Sequence, residues 1–422
     1  MSILFVVITA AFGLYMAWNI GANDVANSMA DAVGSRSISL KGAIIGAGIC
    51  EFAGAVLVGS HVTNTVRKGI VSPEALGGNP EAFALGMACA LLAAALWLNC
   101  ASWVGMPVST THSIVGAVVG FGVISAGIGA VDWTKMGQIV ASWFISPVVG
   151  GVMAYLFFLI IARLILGRRK PAKAAPRIAP FIAFFATMVV CLATVYKGLK
   201  HIISGGASWL TGDVAIGISL AVSIIVALVA HILIKRYLEG QEERAMHDQL
   251  RAVEKCFAPM VVVTSCSVAF AHGSNDVANA IGPLAAVVDV AGTGFQTVHT
   301  EVTVPFWVLT LGGFGIFLGL ATFGHRVMMT VGRKITQISP SRGVAADVAA
   351  TTTVLVCSRL KLPVSTTHTL VGAILGVGLA RGLGALNRQV VQNIFGSWLL
   401  TVPAAAFLSV LLYSLGSFIF LA

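Results

Sequence analysis

Apolar runs of about twenty residues recur along this chain, parted by short polar stretches or by glycine and proline. A helix rises about 1.5 Å per residue, so a run of that length crosses a hydrocarbon layer of about 30 Å. The pattern predicts an all-α, polytopic transmembrane protein with spans near 3–32, 40–60, 82–102, 112–131, 138–166, 179–197, 213–235, 257–287, 305–324, 344–360, 365–382 and 391–421. No small-residue cleavage site follows Ile3–Ile20, which reads as the first span rather than a signal peptide. The strongest polar run, KRYLEGQEERAMHDQLRAVEK from Lys235, is expected to be a solvated cytoplasmic helix between two halves. GRRKPAKAAPR, from Gly167, reads as a basic cytoplasmic loop broken by proline.

Composition agrees with this class. Of 422 residues, 57% are apolar and 10% charged, against about 25% charged in a soluble domain. The net charge of +10 raises the question of nucleic acid, and the placement of the charges answers it. If loops alternate sides, 19 of the 26 Lys and Arg fall on one side and 7 on the other. The positive-inside bias then puts the richer side in the cytoplasm and both termini outside it, in a cell inner (plasma) membrane. The charge is a topology signal, and no nucleic-acid partner is expected. The seven cysteines lie in or beside apolar segments without paired spacing, so neither a disulfide framework nor a zinc site is expected.

Two motifs occur twice. GANDVANS begins at Gly21 and GSNDVANA at Gly273, 252 residues apart; PVSTTH begins at Pro107 and again at Pro363, 256 apart. Unlike motifs in the same order at nearly the same offset indicate a duplicated half. The expected organisation is a first repeat over 1–166, connecting spans over 167–234, a polar linker over 235–256 and a second repeat over 257–422. The NDVAN copies fall in the first and eighth spans, an odd number of crossings apart, so the copies run in opposite directions. Inverted repeats of this kind place substrate near the bilayer midplane, where interrupted helices meet.

The motifs suggest the chemistry. Pro107 and Pro363 lack an amide hydrogen and disfavour helix before them, so the chain should break there, as two spans or a re-entrant hairpin, and restart as helix. A restarting helix presents free N–H groups and partial positive charge to an anion. Ser109, Thr110 and Thr111, with Ser365, Thr366 and Thr367, add hydroxyls to those first turns. Ordinary capping beside a proline explains one such copy better than two in inverted halves. Asp24 and Asp276 lie inside apolar spans, where a charge is costly and marks function. With the amide oxygens of Asn23, Asn27, Asn275 and Asn279 they suit a hard cation. Gly21 and Gly273 are expected to loosen the helix before each motif. Neither motif contains Lys or Arg, so an anion between the aspartates needs cations arriving with it.

Glu51 and Asp347 are further candidate ion-coupling positions. His112 and His368 read as hydrogen-bonding supports, and Gly315 with Gly319 as a helix-packing pair. Ser109, His112 and Asp24 also have the residue types of an intramembrane hydrolase. That set recurs in both halves, which suits alternating access better than an enzyme. A passive anion channel would favour a continuous lined pore over buried aspartates beside broken helices. No catalytic residue and no cofactor is expected.

Through GANDVANS, GSNDVANAIGP, PVSTTHSIVG and PVSTTHTLVG, spread over both halves, the chain resembles the PiT family of inorganic phosphate transporters. VGSR from Val33, ICEFAGA from Ile49 and VRKGIV from Val66 resemble its sodium-coupled branch. The resemblance implies a symporter taking up phosphate with sodium, working as a homodimer. Phosphate would then contact Ser109, Thr110, Thr111, Ser365, Thr366 and Thr367. Sodium, as co-substrate, would use Asn23, Asp24, Asn27, Asn275, Asp276 and Asn279. Glu51 matches an important family glutamate; at Asp347 the family often carries Glu. Sulfate as the anion and protons as the coupling ion are the alternatives.

Overall fold

A computed structural model describes residues 3–59, 70–71, 78–194, 212–299, 302, 304–359 and 364–420. Pro363 and the loop charges Arg67, Lys68, Lys197, Lys200 and Lys361 lie outside the described residues. The described chain is helical, with one isolated bridge between Val71 and Val131. In order the helices are α1 (Ile3–Asp24), α2 (Ala26–Gly34), α3 (Leu40–Val58), α4 (Pro80–Trp103), α5 (Thr110–Ala126), α6 (Trp133–Ile161) and α7 (Pro171–Thr194). They continue as α8 (Gly212–Leu238), α9 (Met246–Asp276), α10 (Ala278–Gly292), α11 (Phe306–Thr322), α12 (His325–Met329), α13 (Pro340–Arg359), α14 (Thr366–Leu379) and α15 (Arg388–Phe420).

Among the described residues eight helical segments are long and apolar enough to cross a membrane, or nine if a bent pair counts as one span. The pair is Phe306–Thr322 with His325–Lys334, bent by 56°. Three of the twelve expected spans do not meet that standard. Thr110–Ala126 and Thr366–Leu379 are apolar but only 17 and 14 residues long, about 25 and 21 Å at the helical rise and short of the hydrocarbon thickness. The third, Pro340–Arg359, is long enough but carries too many small and polar side chains. These three short or polar helices are the ones drawn around the site.

Among the crossings that bring helix backbones together, two involve the helices that carry the NDVAN motifs. On α1 and α11, a Cβ added at Gly21 would strike the Ile316 carbonyl, and one at Gly319 the Trp18 carbonyl. On α3 and α9, Gly273 lies against the Glu51 backbone and Gly54 against that of Phe270. Only hydrogen fits at such contacts, and membrane helices use them because dispersion at close range replaces the missing hydrophobic drive. Gly315 and Gly319 are therefore a packing pair, as their spacing predicts. Gly21 and Gly273 differ from expectation: both sit within unbroken helix, and the interruptions come later, at Val25 and Val277. Each interruption is one residue long and its φ and ψ stay near helical values.

The ends of the chain meet. Phe5 on α1 lies edge to face with Phe420 on α15, ring centres 6.0 Å apart, so both termini lie on one side of the bundle. At the periphery, α8 packs on α7 and exposes most of its apolar side chains, Ile225 among them at 60%.

Candidate functional site

Helices α1 and α9 each carry an NDVAN motif to an interruption, and α5 and α14 begin at the two PVSTTH motifs. Both restarts are capped alike. Ser109 Oγ accepts from the His112 amide and Ser365 Oγ from the His368 amide, each at 3.2 Å. Both serines keep extended backbone, φ −82° and −84°, as an N-cap requires. The first break is held by Asn23. Its oxygen accepts from the Val108 amide at 3.1 Å, and its amide donates to Ser102 Oγ and the Met106 carbonyl, each at 3.0 Å. Trp398 donates to the Pro107 carbonyl at 2.9 Å. A chain break at this depth satisfies its polar backbone through side chains because no water is at hand.

Motifs then join crosswise between the halves. Asn27 donates to Thr367 Oγ1 at 2.8 Å and to Asp24 Oδ1 at 3.0 Å, while Thr367 donates to Asp24 Oδ1 at 3.2 Å. In the other sense Asn279 donates to Thr110 Oγ1 at 3.3 Å, Thr111 Oγ1 at 3.2 Å and Asp276 Oδ1 at 3.3 Å. Thr366 donates to Asp276 Oδ2 at 2.9 Å, and Asn275 to Asp276 Oδ1 at 3.2 Å. The structure thus gathers Asp24, Asn27, Asp276 and Asn279 with Thr110, Thr111, Thr366 and Thr367, and seats Ser109 and Ser365 beneath them as caps. The Asn27 oxygen and Asp24 Oδ2 accept no hydrogen bond.

The centre holds a residue that motif reasoning missed. His272, 2% exposed, places Nε2 3.0 Å from Asp276 Oδ2 and 3.4 Å from Asp24 Oδ2. Its Nδ1 lies 3.3 Å from Glu51 Oε1, and Glu51 also accepts from Ser28 Oγ at 3.2 Å. Glu51 is therefore part of the site, tied to it through the motif serine and the histidine. Asp24, His272 and Asp276 present ligand atoms all within 4.8 Å of one another, geometry able to hold a cation. One signal for His272 was available: at the matching position, 252 residues earlier, the first copy has Ile20, so an ionisable group interrupts both the apolar span and the internal symmetry.

Asp347 stands outside this cluster, accepting from Thr264 and Ser265 instead. His112 and His368 pack together, ring centres 4.4 Å apart, between Trp143 and Trp398. His368 Nδ1 reaches the Trp143 carbonyl at 3.3 Å, in keeping with a supporting role. A cavity of about 30 Å³ adjoins the site, lined by Asn27, His272, Thr351, Thr366 and apolar neighbours. That is space for about two waters.

The sequence carries a match to a family described as "Phosphate transporter family" over residues 20–409. A Haemophilus influenzae protein named "Putative phosphate permease" is 46% identical over 406 residues, covering 96% of this chain and 95% of that one. "Inorganic phosphate transporter 2-1, chloroplastic" of Arabidopsis thaliana is 41% identical over 419 residues, 96% of this chain and 70% of that protein. Among solved structures, "The sodium-dependent phosphate transporter" superposes with a TM-score of 0.86 at 42% identity, covering 98% of both chains.

Proposed function

This chain belongs to the phosphate transporter family, and from that premise we propose that it takes up inorganic phosphate with sodium by alternating access. The observation that carries the proposal is the crosswise clasp: Asp24 and Asn27 of the first NDVAN motif bond Thr367 of the second half, and Asn279 of the second motif bonds Thr110 and Thr111 of the first half. Phosphate is assigned to the two helix starts, with Ser109, Thr110, Thr111, Ser365, Thr366 and Thr367 as donors. Sodium is assigned to Asp24 and Asp276 with the amide oxygens of Asn23, Asn27, Asn275 and Asn279. Asn23 has one oxygen lone pair left after its bond to Val108.

Electrostatics dictates the coupling. A multiply charged anion between two buried aspartates meets repulsion of about 4 kcal/mol per charge pair at 4 Å and an effective dielectric near 20. Hydroxyls and helix starts offset part of it, and sodium ions on the aspartates offset the rest. Binding of either ion thus favours binding of the other, and the empty carrier is left with His272 as the basic group between the acids.

Opposed orientation of the halves is part of the proposal: the matched offsets of 252 and 256 residues and the matched interruptions at Val25 and Val277 support the duplication, and the odd number of crossings expected between the two NDVAN helices supports the inversion. Both termini are assigned to the extracytoplasmic side of the inner membrane, supported by the 19-to-7 charge bias and the meeting of Phe5 with Phe420. A homodimer completes the reading; likeness in the repeated motifs supports it, and native mass spectrometry tests it. The deciding experiment is counterflow in proteoliposomes with radiolabelled phosphate or sulfate, varying sodium and proton gradients independently. Phosphate accumulation that follows the sodium gradient is the outcome expected. Accumulation indifferent to sodium, or preference for sulfate, overturns the assignment.

A further inference from the structure

A second acidic cluster lies apart from the site. Asp31 on α2 and Asp347 on α13 are each 1% exposed, and their carboxyls face one another within hydrogen-bonding reach. Asp347 Oδ2 accepts from Thr264 Oγ1 at 2.7 Å and Ser265 Oγ at 2.8 Å, both on α9. No other group donates a hydrogen bond to its Oδ1 or to either oxygen of Asp31. Gly343 and Val261 close one side, a Cβ at Gly343 falling 3.3 Å from the Asp31 Cβ.

The facing elements supply no countercharge. From α9 comes the Cys266 thiol, with Cys50 of α3 beside it. Glu51 of α3 and Asp24 of α1 turn to His272, and His368 of α14 to Trp143 and Trp398. Arg326 stacks on Trp103 and Phe323, while Arg333 and Lys334 are exposed. On α13 itself, Arg342 stacks on Phe158; Lys173 and Arg177 of α7 and Arg163 beyond α6 are exposed. Among the described residues neither carboxyl has an ion-pair partner.

Two adjacent carboxylates cannot both stay ionised at such burial unless a positive charge lies between them, and one shared proton satisfies both. The hydrogen bonds say where it rests. Asp347 already accepts two hydroxyl hydrogens, which favours its ionised form, while Asp31 receives none. We propose that Asp31 and Asp347 form a proton-binding site in which Asp31 carries the proton and donates it to the free oxygen of Asp347. Joining α2, the continuation of the first NDVAN helix, to α13 and α9, the bound proton holds these helices together; its loss drives them apart.

Infrared difference spectroscopy on the full chain in lipid bilayers tests this without any transported substrate, so it stands or falls separately from the phosphate and sodium assignment. The wild type should show a protonated-carboxyl stretch at neutral pH, with or without sodium, that shifts in D2O and disappears at alkaline pH. Asp31→Asn, whose amide still donates to Asp347, should lack it. So should Asp347→Asn, whose amide lets Asp31 ionise. Thermal midpoint against pH gives a second reading: in the wild type a fall that runs from the ordinary carboxyl range, about pH 4, up to the pH at which the band disappears, absent from either variant. Identical spectra of the wild type and both variants overturn the proposal. So does a band that appears only when sodium is withdrawn, which would make the pair a sodium site.

Discussion

Replacing Asn27 with alanine removes two hydrogen bonds, one within its own motif and one that crosses to the other half. One, to Asp24 Oδ1 at 3.0 Å, has a charged acceptor; the other, to Thr367 Oγ1 at 2.8 Å, is neutral. Bonds to charged groups contribute about 1.5–3 kcal/mol and neutral ones about 0.5–1.5 kcal/mol, so the pair is worth about 2–4.5 kcal/mol. The variant also loses the free Asn27 oxygen, a proposed sodium ligand. If the whole effect falls on the sodium-loaded state, half-maximal sodium for phosphate uptake rises roughly thirtyfold to two-thousandfold. Its counterpart is a built-in comparison. Asn279 makes three bonds, but all measure 3.2–3.3 Å, so Asn279→Ala should cost less. Sodium titrations of radiolabelled phosphate uptake in proteoliposomes measure both. A cycle of Asn27→Ala with Thr367→Val should return coupling of about 1 kcal/mol. Unchanged sodium dependence in Asn27→Ala, or a larger loss in Asn279→Ala, would refute the reasoning.

Other consequences are as open to measurement. Asp24→Asn and Asp276→Asn should each abolish sodium-driven accumulation in the same vesicles; normal accumulation in either removes that residue from the site. Gly319→Ala forces a methyl against the Trp18 carbonyl and should cost about 1–3 kcal/mol, seen as a lower thermal midpoint in detergent. Gly129→Ala, which meets open space, should stay within about 0.5 kcal/mol of wild type. Ser365→Ala removes the cap on the His368 amide; about 1 kcal/mol of stability should go, with faster hydrogen exchange at that amide. Trp398→Phe leaves the Pro107 carbonyl without its donor and should cost about 1 kcal/mol in a denaturation curve.

Much of this molecule is legible in one dimension. Long apolar runs announce membrane helices because a bilayer core accepts little else, and a 422-residue chain with 10% charge has few other fates. Two motifs repeated at offsets of 252 and 256 residues mark a duplicated half. Pro107 placed a helix break because proline's constraint is local, and Ser109 and Ser365 capped the restarts because a cap reaches only three residues ahead. Asp24 and Asp276 stood out through their cost in an apolar span.

What sequence reasoning missed depends on partners distant along the chain. Gly21 and Gly273 look like helix looseners until α11 and α3 lie against them; then each is a place where only hydrogen fits. Asp31 passes for an ordinary polar residue in GANDVANSMAD until Asp347, more than three hundred positions later, is folded against it. His272 reads as one more histidine until Asp24, Glu51 and Asp276 converge on its two nitrogens. Local rules act through the nearest backbone atoms and survive in the sequence, whereas charge and close packing act through space, and their partners are known only once the helices have met.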